Sequence, residues 1–147
     1  MGKLKIYLDC CCFNRPFDDQ SDDKVRLESE AVLSIIDRCE ADIWDVYKSD
    51  ILLDEILDTK DFIRKQKLLS LYSSATLNVE LNNDIVKRAK EIREYNIKAF
   101  DSLHVACAEF AEADIFLTTD KKLINRSMVA NLKVRVLNPA VWIMEVL

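Results

Sequence analysis

Four acidic residues, Asp9, Glu55, Asp101 and Asp120, are the side chains of this sequence best placed to do chemistry. Asp9 and Asp120 follow apolar runs that read as strands, and Glu55 and Asp101 sit near the starts of helical segments. In open α/β sheets such ends meet on the edge where ligands bind. Gathered there, carboxylates repel one another and raise each other's pKa unless a cation joins them. A hard divalent ion bound through carboxylates, with waters retained, suits such a cluster. Its waters would supply a nucleophile, and its charge would stabilise phosphate oxygens. Singly, each acid has a plainer reading: Asp after a strand is a common turn residue, and Asp in a first helical turn complements the helix dipole.

Other chemistries find few residues to work with. The chain has one histidine, His104, so no histidine pair can run acid–base cleavage of RNA. His104 falls one turn after Asp101, as a packing or pocket-rim residue within reach of the site. Gly2 is the only glycine, which leaves no Gly-rich phosphate loop and no G-x-S-x-G nucleophile elbow. Cys10, Cys11, Cys12, Cys39 and Cys107 are odd in number, with three adjacent. That is neither a disulfide framework nor zinc spacing, and reduced thiols in a cytoplasmic protein are expected.

The elements that must position the acids centre on Lys98–Asp120. Leu103, Ala106, Cys107, Phe110 and Ala111 have the spacing of one face of an amphipathic helix. Ile115–Leu117 then reads as a buried parallel strand. Leu4–Leu8 is the first strand, and Cys10–Asp23, with Asn14, Pro16 and two Asp pairs, reads as a loop. A helix to about Cys39 follows, capped by Asp22 or Ser21, with Leu27, Ala31, Val32, Ile35 and Ile36 inward. Ile43–Tyr47 is a second strand, and Ser49 or Asp50 caps the helix DILLDEIL. On that helix Glu55 projects beside Ile51 and Leu52 while Asp54 turns away, which favours Glu55 as the half-buried acid. A basic helix Asp61–Ser74, an alternating edge strand Thr76–Leu81 and a helix Asp84–Tyr95 precede the central unit. Val134–Leu137 is the last strand, and Pro139 opens the final helix. Strand–helix alternation over residues 1–147 predicts one α/β domain with a parallel sheet.

The 147 residues are 50% hydrophobic and 32% charged, with a net charge of -5. This composition suits a globular domain and argues against a generic nucleic-acid coat protein, which carries a basic excess. Setting the four acids aside leaves the chain nearly neutral, so a nuclease with a metal site is not excluded. No run approaches the ~18 apolar residues of a membrane span, and Asp9 interrupts the N-terminal apolar stretch too early for a signal peptide. With one glycine, left-handed backbone positions are expected to fall to Asn and Asp, such as Asn82, Asn83 and Asn96.

The segments IYLDCCCFNRP, SDILLDEI, AFDSLHVACAE and DIFLTTDKKL, with the closing NPAVWIMEVL, resemble the PIN-domain ribonucleases over nearly the whole chain, and in particular their toxin-type members. The resemblance implies a three-layer α/β/α sandwich with strand order 3-2-1-4-5. It implies that Asp9, Glu55, Asp101 and Asp120 bind Mg²⁺ or Mn²⁺, with Ser49 and Thr119 as supporting groups. It implies metal-dependent endonucleolytic cleavage of RNA, an antitoxin partner and a homodimer, to which Trp142 and Ile143 would contribute apolar surface if they do not pack on their own domain.

Many members carry Thr-Asn or Thr-Ser after the first Asp, where this chain has Cys10 and Cys11. Asn14 and Arg15 are the candidates to replace the missing polar contacts. Arg15, Lys121 and Lys122, close in sequence to Asp9 and Asp120, are the candidate RNA contacts. The competing reading is a PIN-like module that binds RNA or protein without catalysis. An Asp-nucleophile phosphatase would need a second Asp where Cys11 stands.

Overall fold

Successive side chains of a strand face opposite ways, and the first strand uses this to build two cores. In the computed structural model, which describes residues 2–147, Ile6 and Leu8 enter one apolar cluster while Tyr7 enters the other. That strand, β1 (Lys5–Leu8), lies in the middle of a five-stranded sheet with β2 (Asp45–Ser49), β3 (Leu77–Val79), β4 (Ile115–Leu117) and β5 (Val136–Leu137). The order is β3-β2-β1-β4-β5 and every pairing is parallel. It matches the expected order 3-2-1-4-5.

Helices cover both faces, as parallel sheets require. On the Ile6 side lie α1 (Cys10–Asn14), α2 (Asp23–Glu40), α3 (Asp50–Leu57), α4 (Phe62–Ser73) and α8 (Pro139–Val146). On the Tyr7 side lie α5 (Asn83–Arg93), α6 (Ala99–Phe110) and α7 (Lys121–Val129). Polar residues start most of them: Asp22, Ser49, Asp61, Asn82, Asp120 and Asn138 each accept a first-turn backbone N–H. Among the described residues no helix is long and apolar enough to cross a membrane.

Several expectations are corrected. Cys10–Asp23 is not simply a loop: Asp9 caps α1, and a 3-10 turn Arg15–Phe17 follows, because Cys12 and Phe13 are fully buried and pull the segment onto the core. The second strand starts two residues later than Ile43, since β2 pairs Val46 with Ile6 and leaves Ile43 54% exposed. Leu27, Val86 and Phe110 point outward rather than inward. The buried run on α6 is Ser102 and His104–Ala108, because the sheet covers one side of this helix and α5 packs along another. Positive φ occurs at Asp42, Asn96 and Glu112, while Asn82 and Asn83 start α5.

Trp142 and Ile143 pack in the core beside Trp44, with the two indoles 5.3 Å apart. They supply no surface for a homodimer.

Candidate active site

Asp9 and Asp120 come together because β1 and β4 are neighbours. The Asp9 backbone N–H donates to Leu117 O at 3.0 Å, which extends the ladder by one residue. The buried Asp9 carboxylate accepts from the Cys10 N–H at 2.8 Å and from the Thr118 hydroxyl at 2.9 Å, with the Cys11 thiol at 3.4 Å. The Thr118 oxygen in turn accepts the Asp120 N–H at 3.1 Å. One Asp120 oxygen accepts from the Lys122 and Leu123 N–H groups, capping α7.

Asp101 enters from the first turn of α6 and Glu55 from α3. Burial, then the negative charges of Asp9 and Asp120, push the Asp101 carboxyl up to about 6, with His104 pulling the other way and Glu55 adding to the rise. A helix N-terminus ordinarily favours an ionised Asp. Here burial and like charge outweigh it. Glu55 is partly exposed beside a surface cleft of about 600 Å³, while Asp54, also on its wall, is exposed. The Glu55 carboxylate is hydrogen-bonded to His104 Nε2, and His104 Nε2 lies 3.9 Å from Asp9 Oδ1.

All four acids therefore interact around Asp101, and their oxygen donors suit a hard divalent cation. They are not set as a finished ligand shell. Among the described residues no three His, Cys, Asp or Glu side chains surround one point in that way. Glu55 is turned to His104, and Asp120 to its own helix.

The surrounding groups divide differently from the expectation. Ser49 is fully buried, caps α3 and hydrogen-bonds Tyr7 Oη at 2.8 Å. The hydroxyl that reaches Asp9 belongs to Thr118, whereas Thr119 offers its backbone N–H to Cys11 Sγ at 3.3 Å. Asn14 donates to Cys10 O and accepts from Arg64, so it braces α1 against α4. Arg15 binds Glu28 at 2.9 Å and Asp18 at 3.0 Å, so its guanidinium braces the fold. Lys121 and Lys122 stand exposed at the start of α7, next to Asp120.

Tyr7, Thr118, Glu28 and the double contact of His104 were not singled out by sequence as site-supporting groups. Tyr7 carries a signal, a polar tip within the apolar run Ile6–Leu8.

No family model matches the sequence, and no curated protein does. Solved structures share its fold. FitAcB from Neisseria gonorrhoeae is 22% identical with a TM-score of 0.58, over 91% of this chain and 97% of that one. A toxin–antitoxin complex from Klebsiella pneumoniae is 18% identical with a TM-score of 0.62, over 91% and 97%. VapBC2 from Rickettsia felis, bound to a DNA fragment from their promoter, is 16% identical with a TM-score of 0.61, over 90% and 98%.

This is the PIN-like fold. At these identities the likeness extends to architecture: the parallel five-stranded sheet with β1 central and helices on both faces. The PIN-like sheet order is what sets β1 beside β4, and so Asp9 beside Thr118 and Asp120.

Proposed function

We propose that this chain is a divalent-metal-dependent endoribonuclease and the toxin of a toxin–antitoxin pair. The observation that carries the nuclease reading is the field on Asp101: a partly buried carboxyl pushed up to about 6 by burial and by Asp9 and Asp120. A divalent cation among these acids would offset their repulsion. Asp9, Glu55, Asp101 and Asp120 would hold Mg²⁺ or Mn²⁺. Such an ion, when bound, supplies an activated water and stabilises charge on phosphate oxygens.

The chain's own residues orient and exclude. Thr118 and the Cys10 N–H fix the Asp9 carboxylate. Ser49 fixes the start of the helix that carries Glu55. Lys121 and Lys122 would contact phosphates of a single-stranded RNA, which positions the strand without reading its sequence. The toxin role draws support from shared architecture with structures described as a toxin–antitoxin complex, FitAcB and VapBC2. An antitoxin is the corresponding partner.

The test is cleavage of a mixed RNA pool by purified protein in Mn²⁺, in EDTA and after metal is restored, with Asp101→Asn alongside. Cleavage in Mn²⁺ that EDTA abolishes reversibly and Asp101→Asn eliminates is expected. Equal cleavage in EDTA overturns the metal mechanism. The toxin role predicts growth arrest on expression of the wild type and none with Asp101→Asn.

A second reading, a PIN-like module that binds RNA or protein without cutting, is favoured by the turning of Glu55 towards His104 and by cysteines at positions 10 and 11. RNA binding without cleavage in any metal would decide for it.

A further inference from the structure

We propose that His104 is a positioning residue for Glu55, set in place by the Tyr7 hydroxyl and, behind it, Ser49. The proposal rests on the reading of the acids as a cation site. His104 is fully buried on α6, one turn beyond Asp101, where it meets Tyr7 of β1 and Glu55 of α3. Its Nδ1 lies 2.6 Å from Tyr7 Oη, and Tyr7 Oη lies 2.8 Å from Ser49 Oγ. Its Nε2 is bonded to the Glu55 carboxylate. Ser49 also accepts the Leu52 N–H, so the group that ends the chain of bonds is the group that starts Glu55's helix. Helix start and carboxylate are thus tied to one phenol on the central strand.

Hydrogen-bond accounting decides which nitrogen carries the proton. An ionised Glu55 only accepts, so Nε2 must donate to it. If the ring is neutral, Nδ1 has no proton and Tyr7 donates to it, with Ser49 donating to Tyr7. If the ring is protonated, Nδ1–H donates to Tyr7 and Tyr7 donates to Ser49. Both arrangements place a proton on Nε2, and the neutral one also gives the Ser49 and Tyr7 hydroxyl hydrogens an acceptor each. Burial holds the Tyr7 phenol well above its usual pKa, so it keeps the proton either arrangement needs. Both nitrogens have a partner, as a buried imidazole requires, and the partner of Nε2 is one of the four candidate acids. Groups behind metal ligands fix ligand orientation, and losing them typically costs ten- to a hundredfold in metal affinity.

His104 is the chain's only histidine, so imidazole signals in a long-range ¹H–¹⁵N spectrum belong to it alone. In metal-free protein at pH 7.5, Nε2 is expected to bear the proton, and Tyr7→Phe is expected to move the Nδ1 shift. A proton on Nδ1 with Nε2 bare overturns the proposal.

Mn²⁺ titration, read by the loss of free-ion electron paramagnetic resonance signal, then compares two amide replacements. Asn reaches only to the level of Nδ1 and Gln to that of Nε2. His104→Asn should weaken Mn²⁺ binding about tenfold or more, and His104→Gln should recover most of it at equal stability in urea. Unchanged binding by His104→Asn, or equal losses in both variants that follow their stability, overturns the positioning role alone. No Mn²⁺ binding by the wild type overturns the cation reading and this proposal with it.

Discussion

Thr118 donates its hydroxyl to Asp9 Oδ2 at 2.9 Å, across the junction of two adjacent parallel strands. The same oxygen accepts the Asp120 N–H. Two of the four acids therefore take their positions from one buried side chain, and neither charge touches the other directly to do so.

Removing that hydroxyl leaves a buried carboxylate short of a donor. Thr118→Val, nearly equal in volume, should cost about 1–3 kcal/mol of stability. Thr118→Ser should cost less than half as much. Urea unfolding at pH 7.5 measures both, and equal losses would mean that the methyl group, not the hydroxyl, is what matters.

Asp101 should make the metal-free protein more stable in mild acid. Its folded pKa of about 6 lies above the ordinary 3.8, so the unfolded chain ionises first as pH rises. The cost of the folded carboxylate is absent below about pH 4, grows between 4 and 6, and is complete above 6. Discounted for partial exposure, it is about 1–2 kcal/mol. Asp101→Asn should recover this stability at pH 7.5 and flatten the profile between pH 4 and 6, as unfolding in EDTA would show.

Divalent metal should reverse the same cost. A ligand that binds only the folded state stabilises it by mass action, about 2.7 kcal/mol at a hundred times its Kd. Mn²⁺ should raise the melting temperature of the wild type and raise that of Asp101→Asn less. Equal shifts in thermal scans would place the ion elsewhere.

Arg15 should matter to stability rather than to RNA. Glu28 is 1% exposed and takes its partners from Arg15 and Asn138. Arg15→Ala strands that buried charge and should cost about 3–5 kcal/mol. RNA affinity of the still-folded fraction should be unchanged in a filter-binding assay.

Lys121 and Lys122 should behave in the opposite way. Both are exposed, and replacing them with Ala should leave melting within a degree or two. RNA binding by an Asp101→Asn background should weaken. Its salt dependence should flatten by about 0.7 in log–log slope for each phosphate that a lysine no longer neutralises. An unchanged slope would route the RNA over another surface.

The strand–helix alternation and the parallel, two-faced sheet were legible from local pattern. Ile115–Leu117 is apolar throughout because both of its faces are covered, and the cap of DILLDEIL is Ser49, one of the two residues the sequence offers for it. Resemblance added the strand order. Boundaries were less legible. Cys10–Asn14 reads as a turn from its neighbours, and only burial of Cys12 and Phe13 makes it a helix. The outward turn of Leu27 could not be read from helical spacing either, since the inward place beside it is held by Glu28, a charge made tolerable by an arginine 13 residues away.

By itself the sequence determined which side chains could do chemistry, because composition is local: four acids at element ends, one histidine, one glycine. Only the tertiary structure decided what each of them touches. Asp9 and Thr118 are 109 residues apart, and Glu55 and His104 are 49 apart, so no spacing rule links them. The parallel order that lays β4 against β1, and the contact of α6 with α3, bring them within hydrogen-bonding distance. The same packing pairs Arg15 with Glu28, 13 residues away, because a buried carboxylate left without a partner would be costly.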